Sequence, residues 1–66
     1  MNYHYFVSYL TFENGHFLSA GMIDYYNYAK IESFEDIKNM TSEIAESLNV
    51  EEVIILNYQL IREEPY

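Results

Sequence analysis

The 66-residue sequence contains no cysteine and no tryptophan, with one proline and two glycines. The lack of cysteine excludes disulfides and thiolate metal sites. His4 and His16 are too few for an ordinary zinc site without several carboxylates, so we expect no metal and no cofactor. A domain this short buries only about 60% of its unfolded surface. We therefore expect the chain to gain stability as a homodimer.

Basic residues are scarce, since Lys30, Lys38 and Arg62 stand against eleven acids, for a net charge of −8. Direct contact with nucleic acid is not expected, because phosphates are bound by Lys and Arg. The acidity leaves two interpretations open. It keeps the protein soluble, or it forms a surface that attracts a basic partner or mimics nucleic acid.

Long hydrophobic runs and a basic N-terminal stretch are also missing. No apolar segment approaches the roughly 20 residues that span a bilayer, and the start does not resemble a signal peptide. We expect no membrane contact and a location in the cytosol. The hydrophobic content of 50% is too high for a disordered chain.

Asn14-Gly15 predicts a β-hairpin between strands over 3–12 and 17–28, which are rich in aromatic and β-branched residues. The pair suits a type I′ turn, in which both central residues have positive φ. Counting outward from a two-residue loop fixes the expected register. It pairs Phe12 with Phe17, Tyr9 with Ala20, Val7 with Met22, Tyr5 with Asp24, Ser8 with Gly21 and Phe6 with Ile23.

A helix is predicted over 34–48. Ser33 is a good N-cap, Asp36 completes a capping box, and Asn49 is a left-handed stop. Apolar residues recur at helical spacing and should face the sheet: Phe34, Ile37, Met40 or Thr41, Ile44, Ala45 and Leu48. The wet side carries Asp36, Asn39, Glu43 and Glu46.

A third strand is predicted over 52–62, from the apolar run that starts at Val53. Its first half is apolar on both sides, which indicates a covered position. The elements give one ββαβ domain over 1–66, in the α+β class. We expect an antiparallel sheet in the order 2-1-3 with the helix on one face, because antiparallel pairs predominate in small sheets.

The two faces of the sheet should have different roles. Small residues would let the helix approach closely, so the core face is predicted to carry Phe6, Ser8, Leu10, Ser19, Gly21 and Ile23. The other face would remain uncovered and form a surface for dimerisation or for another partner. Its predicted residues are Tyr3, Tyr5, Val7, Tyr9, Leu18, Ala20, Met22 and Tyr26.

Catalytic motifs are not found in the sequence, so we predict that the protein is not an enzyme. His16 beside the turn should be solvated, and His4 is expected to be structural. The acids Asp36, Glu43 and Glu46 are the predicted target-facing surface.

Three segments, Tyr5-Phe6-Val7-Ser8-Tyr9, Ser33-Phe34-Glu35-Asp36-Ile37 and Val53-Ile54-Ile55-Leu56-Asn57-Tyr58, resemble a family of short proteins from phages and mobile elements of Gram-positive bacteria. The likeness covers most of the chain, and its motifs are structural. What it implies is a setting in the bacterial host cytosol. Short acidic phage proteins there include anti-defence inhibitors, such as those of the anti-CRISPR kind.

Three functional hypotheses follow. The first is a phage-encoded protein that inhibits a host defence protein by surface occlusion or by nucleic-acid mimicry. The second is a dimer that binds a small, nucleotide-like ligand in a cleft lined by Tyr3, Tyr5, Tyr9 and Tyr26. The third is a structural subunit of a phage complex.

Overall fold

The computed structural model describes residues 2–65, which form three strands and one helix: β1 (Asn2–Glu13), β2 (His16–Asn27), α1 (Phe34–Leu48) and β3 (Glu52–Glu64). The sheet is antiparallel in the order β2-β1-β3, so the predicted α+β fold is confirmed. The helix bounds match the prediction, and the strand bounds differ by one or two residues. The predicted domain also included Met1 and Tyr66, which lie outside the described residues.

The hairpin turn is as predicted at its tip. Asn14 and Gly15 have φ values of 52° and 76°, the positive values that a type I′ turn requires. Phe12 pairs with Phe17, and their rings meet edge to face with centroids 6.0 Å apart. The turn and this aromatic pair together fix the register of the first few residues.

Beyond the tip, the register shifts by one residue. Phe12 pairs with Phe17 but Thr11 pairs with Ser19, so Leu18 is an extra residue in a β-bulge. Every later pair therefore differs from the prediction by one residue. Because side chains alternate between faces, the shift changes which residues of β1 and β2 share a side of the sheet.

The core lies on the side of β1 that was predicted to be an uncovered partner surface. The prediction is therefore wrong for Tyr5, Val7 and Tyr9. All three are buried, and Val7 is fully inaccessible to solvent. The shifted register places Gly21 opposite Tyr9 and Ile23 opposite Val7, so that these residues lie together on the side of the sheet under the helix. The core cluster consists of Tyr5, Val7, Tyr9, Ile31, Met40, Ile44 and Val53.

Gly21 has a packing role in this arrangement. A Cβ atom at this position would lie 2.7 Å from Oη and 2.9 Å from Cζ of Tyr9. The ring of Tyr9 therefore extends across β2 at a point where the strand has no side chain. Gly21 is thus a point of close packing, with the Tyr9 ring as its neighbour.

The helix begins and ends as predicted. The Asp36 N–H donates to Oγ of Ser33 at 3.2 Å, and the Asp36 carboxylate accepts from the Ser33 N–H, which completes the capping box. At the other end Asn49 is left-handed, and the Val50 N–H donates to the Ala45 carbonyl at 3.1 Å. Met40 and Ile44 are buried against the sheet.

Phe34 does not join the core, contrary to the prediction, and is 75% exposed. It lies in the first turn, about 80° around the helix from Ile44 at 100° per residue. The Lys38 ammonium lies 5.7 Å from the centroid of its ring. Phe34 therefore sits at the border of the apolar stripe, beside a charged side chain.

Strand β3 is an edge strand, and its apolar first half is not covered on both sides as predicted. Val53 is buried under the helix, whereas Ile54 and Leu56 are exposed on the opposite side. Further register shifts against β1 leave Leu56 and Ile61 without pairing partners. These bulges interrupt the hydrogen-bonded ladder that joins the edge strand β3 to β1.

Candidate interaction surface

The side of the sheet opposite the helix, here called the open face, is covered by no element among residues 2–65. Cross-strand pairing arranges its side chains in rows of three, one from each strand. From the hairpin end, the rows are Phe17–Phe12–Glu52, Ala20–Leu10–Ile54, Met22–Ser8–Asn57, Asp24–Phe6–Gln59 and Tyr26–His4–Arg62.

The half of the open face nearer the hairpin is apolar. Met22 is 67% exposed, Leu56 59% and Ile54 43%, and Phe17 and Leu18 are also exposed nearby. Large apolar side chains that adjoin one another in this way mark interaction surfaces of soluble proteins. This half therefore has the chemistry of a protein contact, and it also includes the small residues Ser8 and Ala20.

The other half is polar and internally ordered around His4. Its ring stacks on Tyr26 with centroids 4.3 Å apart, and Nε2 lies 2.9 Å from Oδ1 of Asp24. Nδ1 of His4 is buried and lies 3.9 Å from Oε1 of Glu64, which is in turn 3.4 Å from Nε of Arg62. These contacts fix the His4 ring between Tyr26, Asp24 and Glu64. His4 therefore has a structural role on the open face.

Several carboxylates are used within the fold, including two of the three predicted to face a target. Asp36 caps the helix, and the N–H groups of Glu32 and Ser33, with the Ser33 hydroxyl, hold its pKa below the usual value. Glu43 accepts a hydrogen bond from the Tyr25 hydroxyl. Of the predicted set, Glu43 and Glu46 are both exposed to solvent on the helix, and Asp36 is half-buried.

Tyr25 connects the edge strand β2 to the helix. Partial burial raises the pKa of its hydroxyl, and the adjacent Glu43 carboxylate raises it further. A shallow cleft of about 280 Å³ lies beside this contact, lined by polar and acidic residues. They are Tyr25, Asn27, Asp36, Asn39, Ser42 and Glu43.

Carboxylates also join the hairpin tip to the start of β3. The Asn14 N–H donates to Oε1 of Glu51 at 3.2 Å, and the Glu51 N–H donates to Oε2 of Glu13 at 3.4 Å. These reciprocal bonds fix the hairpin end against the loop after the helix. These hydrogen bonds therefore fix the end of the sheet at which the apolar half of the open face lies.

The predicted partner face is divided between the two sides of the sheet. Leu18, Met22 and Tyr26 are exposed, whereas Tyr5, Val7 and Tyr9 are buried under the helix. Tyr3 is partly buried and packs against the same core. The proposed aromatic ligand cleft therefore does not form, because Tyr5 and Tyr9 lie on the opposite side from Tyr26.

The open face includes residues that the sequence analysis placed elsewhere. Phe6 and Leu10 were expected in the core, and Ile54 was expected to be covered. The pairing of His4 with Tyr26 and its bond to Asp24 were not foreseen. The apolar run of β3 was the sequence signal for this open face. It carries large side chains on both sides of the strand, and one helix can cover only one side of the sheet.

Residues 2–65 hold no group of three or more His, Cys, Asp or Glu side chains placed to bind a metal ion. No helix within these residues has the length and apolar character needed to cross a membrane. No protein-family model, curated protein or solved structure matches this chain.

Proposed function

We propose that this chain is a small, non-catalytic interaction protein that acts by occupying the surface of another protein. The observation that carries the proposal is the apolar half of the open face, where Met22 on β2 and Ile54 and Leu56 on β3 are exposed on either side of the central strand β1. Exposing such side chains to water is unfavourable by about 25 cal/mol per Å². A partner that covers them recovers this free energy.

The size of the open face supports a protein as the partner. A 12-residue strand is about 40 Å long, in agreement with the 39 Å long axis of the molecule. Three strands about 4.8 Å apart then give a flat area of roughly 550 Å². The projecting side chains make the real surface area larger than this flat value. Specific protein interfaces bury about 600–1,000 Å² on each side.

In the setting that the resemblance implies, the target is a bacterial host defence protein in the cytosol, and the chain inhibits it by surface occlusion. The net charge of −8 supports a target with a basic surface, such as one that binds nucleic acid. Nucleic-acid mimicry has weaker support, because Asp36 and Glu43 are engaged within the fold. Exposed acids such as Glu35 and Glu46 would instead contribute long-range attraction.

Co-purification from the native bacterial host tests the proposal. The tagged wild-type chain should retain a host defence protein, and adding the chain should reduce the activity of that protein. Met22→Asp should abolish retention, because it places a charge in the apolar half of the open face. Phe34→Asp is the matched control, since Phe34 is also highly exposed but lies on the helix.

Two results would contradict the proposal. Equal retention by both variants would show that the open face is not required for the contact. Retention of phage proteins alone would favour the third hypothesis, a structural subunit of a phage complex.

A further inference from the structure

We infer that a second copy of this chain covers the open face, related to the first by a two-fold axis that runs along β1 between the two sheets. In this arrangement β2 of each copy lies over β3 of the other. The inference rests on the proposed function, in which the open face is a protein-contact surface. It deepens that function by naming a second copy as the occupant of the face in the free protein, which a host target displaces when it binds.

The balance of buried and exposed apolar residues favours association. Within residues 2–65, the large side chains with substantial exposure outnumber the residues of the buried core cluster. A sheet-on-sheet contact would cover several of them at once, including Phe6, Met22, Ile54 and Leu56. Two copies together contribute roughly 1,100 Å² of flat area, close to the lower limit of stable interfaces.

The distribution of polarity selects the direction of the axis. Identical faces can pack about a two-fold axis that runs either along the strands or across them. An axis across the strands at the central row of the face would place the apolar row of Ala20, Leu10 and Ile54 over the row of Asp24, Phe6 and Gln59 of the partner subunit, which carries a charge and an amide. An axis along β1 places apolar rows over apolar rows.

Side-chain size is complementary in the same arrangement. Ala20 on β2 and Ile54 on β3 flank Leu10 in one row. With the axis along β1, Ala20 lies over Ile54 of the partner subunit, so a small residue faces a large one at two equivalent places. Sheets in such contacts pack about 10 Å apart with strands crossing at about −30°, which keeps central rows in register.

Sedimentation equilibrium on the full chain tests the inference. At about 100 μM the wild type should be a dimer, as expected for a micromolar Kd. Ala20→Glu and Ile54→Lys should each weaken the dimer by at least about tenfold, because each buries an unpaired charge. An equimolar mixture of the two variants should recover dimer, since the new carboxylate then faces the new ammonium.

Phe34→Glu is the control for the added charge, and it should dimerise as the wild type does. Circular dichroism of each variant verifies the fold. Cysteine variants give a milder test, since the chain has no native cysteine. A mixture of Ala20→Cys and Ile54→Cys should cross-link with a short bismaleimide, whereas Ser47→Cys on the helix should not.

A monomeric wild type at this concentration would overturn the inference, as would charged variants that dimerise like the wild type. Dimerisation without recovery in the mixture, and without the mixed cross-link, would overturn the two-fold geometry. These failures are distinguishable from failure of the proposed function. A monomer that still retains a host protein through Met22 would leave the interaction function intact.

Discussion

Tyr5 connects the sheet to the segment before the helix through its hydroxyl group. Its Oη accepts a hydrogen bond from the buried N–H of Ile31 at 2.7 Å, and its ring meets Tyr58 edge to face. The side chain therefore combines apolar packing with one polar contact, as a buried tyrosine usually does. Ile31 is itself part of the core, so the bond fixes the chain where it leaves the sheet.

Tyr5→Phe tests this contact. The variant keeps the ring but leaves the Ile31 N–H buried without its acceptor, which should lower the free energy of unfolding by about 1–3 kcal/mol. Urea denaturation followed by circular dichroism measures the change. Tyr26→Phe makes the same chemical change at an exposed ring on the open face and should have a much smaller effect. Equal losses for the two variants would contradict the assigned role.

Gly21 and Tyr9 form a coupled pair, which a double-mutant cycle can measure. Gly21→Ala should lower the free energy of unfolding by about 1–3 kcal/mol, because the new methyl group displaces the Tyr9 ring. In a Tyr9→Leu background the same change should cost less or even stabilise the strand, since glycine is unfavourable in a strand interior. Denaturant unfolding of all four chains gives the coupling energy. Additive effects would exclude the proposed packing.

At the scale of elements, features set by neighbouring residues follow from the sequence. The Asn14-Gly15 turn, the Ser33 cap and the Asn49 stop are determined by local φ preferences and local hydrogen bonds. These signals also fix the order of the elements. With short connections, that order leaves few sheet topologies, so the 2-1-3 arrangement was predictable.

The identity of the core face was not predictable in the same way. The turn favours one register, whereas burial of Val7 and Tyr9 beside Gly21 favours a register shifted by one, and a bulge at Leu18 satisfies both. A bulge is decided by tertiary packing and has no reliable sequence signal. The extra residue changed which residues of β1 and β2 lie on the same face of the sheet. About half of the residues predicted for the partner surface therefore lie on the core side instead.

The contact between β2 and the helix is expected to depend on pH. The pKa of Tyr25 is raised by partial burial and by Glu43, so the folded state favours the protonated hydroxyl. Its stabilising contribution is complete below the unfolded pKa of about 10 and is lost as pH rises through the folded value. Tyr25→Phe lacks this contribution at every pH.

Urea unfolding of the wild type and Tyr25→Phe at about pH 7, 9 and 11 measures the effect. The stability difference between the two chains should be constant up to about pH 9 and should shrink above about pH 10. Glu43→Gln should reduce the pH dependence, because the carboxylate that raises the Tyr25 pKa is absent. A difference that grows with pH would have the wrong sign for this contact.

At the scale of the whole molecule, charge and apolar area act in opposite directions on self-association. Two copies that each carry −8 repel each other, while in the proposed dimer the open faces would attract through apolar burial. Salt screens the repulsion and leaves the apolar contact in place, so the dimer should tighten as salt rises. Binding to a basic target should weaken instead, since there the charges attract.

Sedimentation equilibrium and target titration between about 0.1 and 1 M NaCl separate the two contacts, because the Debye length falls from about 10 to 3 Å over that range. Lys38→Gln makes the net charge more negative by one. With this variant, the dimer affinity should rise more steeply with salt, and the target affinity should fall more steeply. Glu46→Gln should make the salt dependences of dimer formation and of target binding less steep. Neither residue lies on the open face, so the variants change charge without changing the apolar contact. If target binding also tightened with salt, apolar burial rather than acidity would dominate recognition of the host protein.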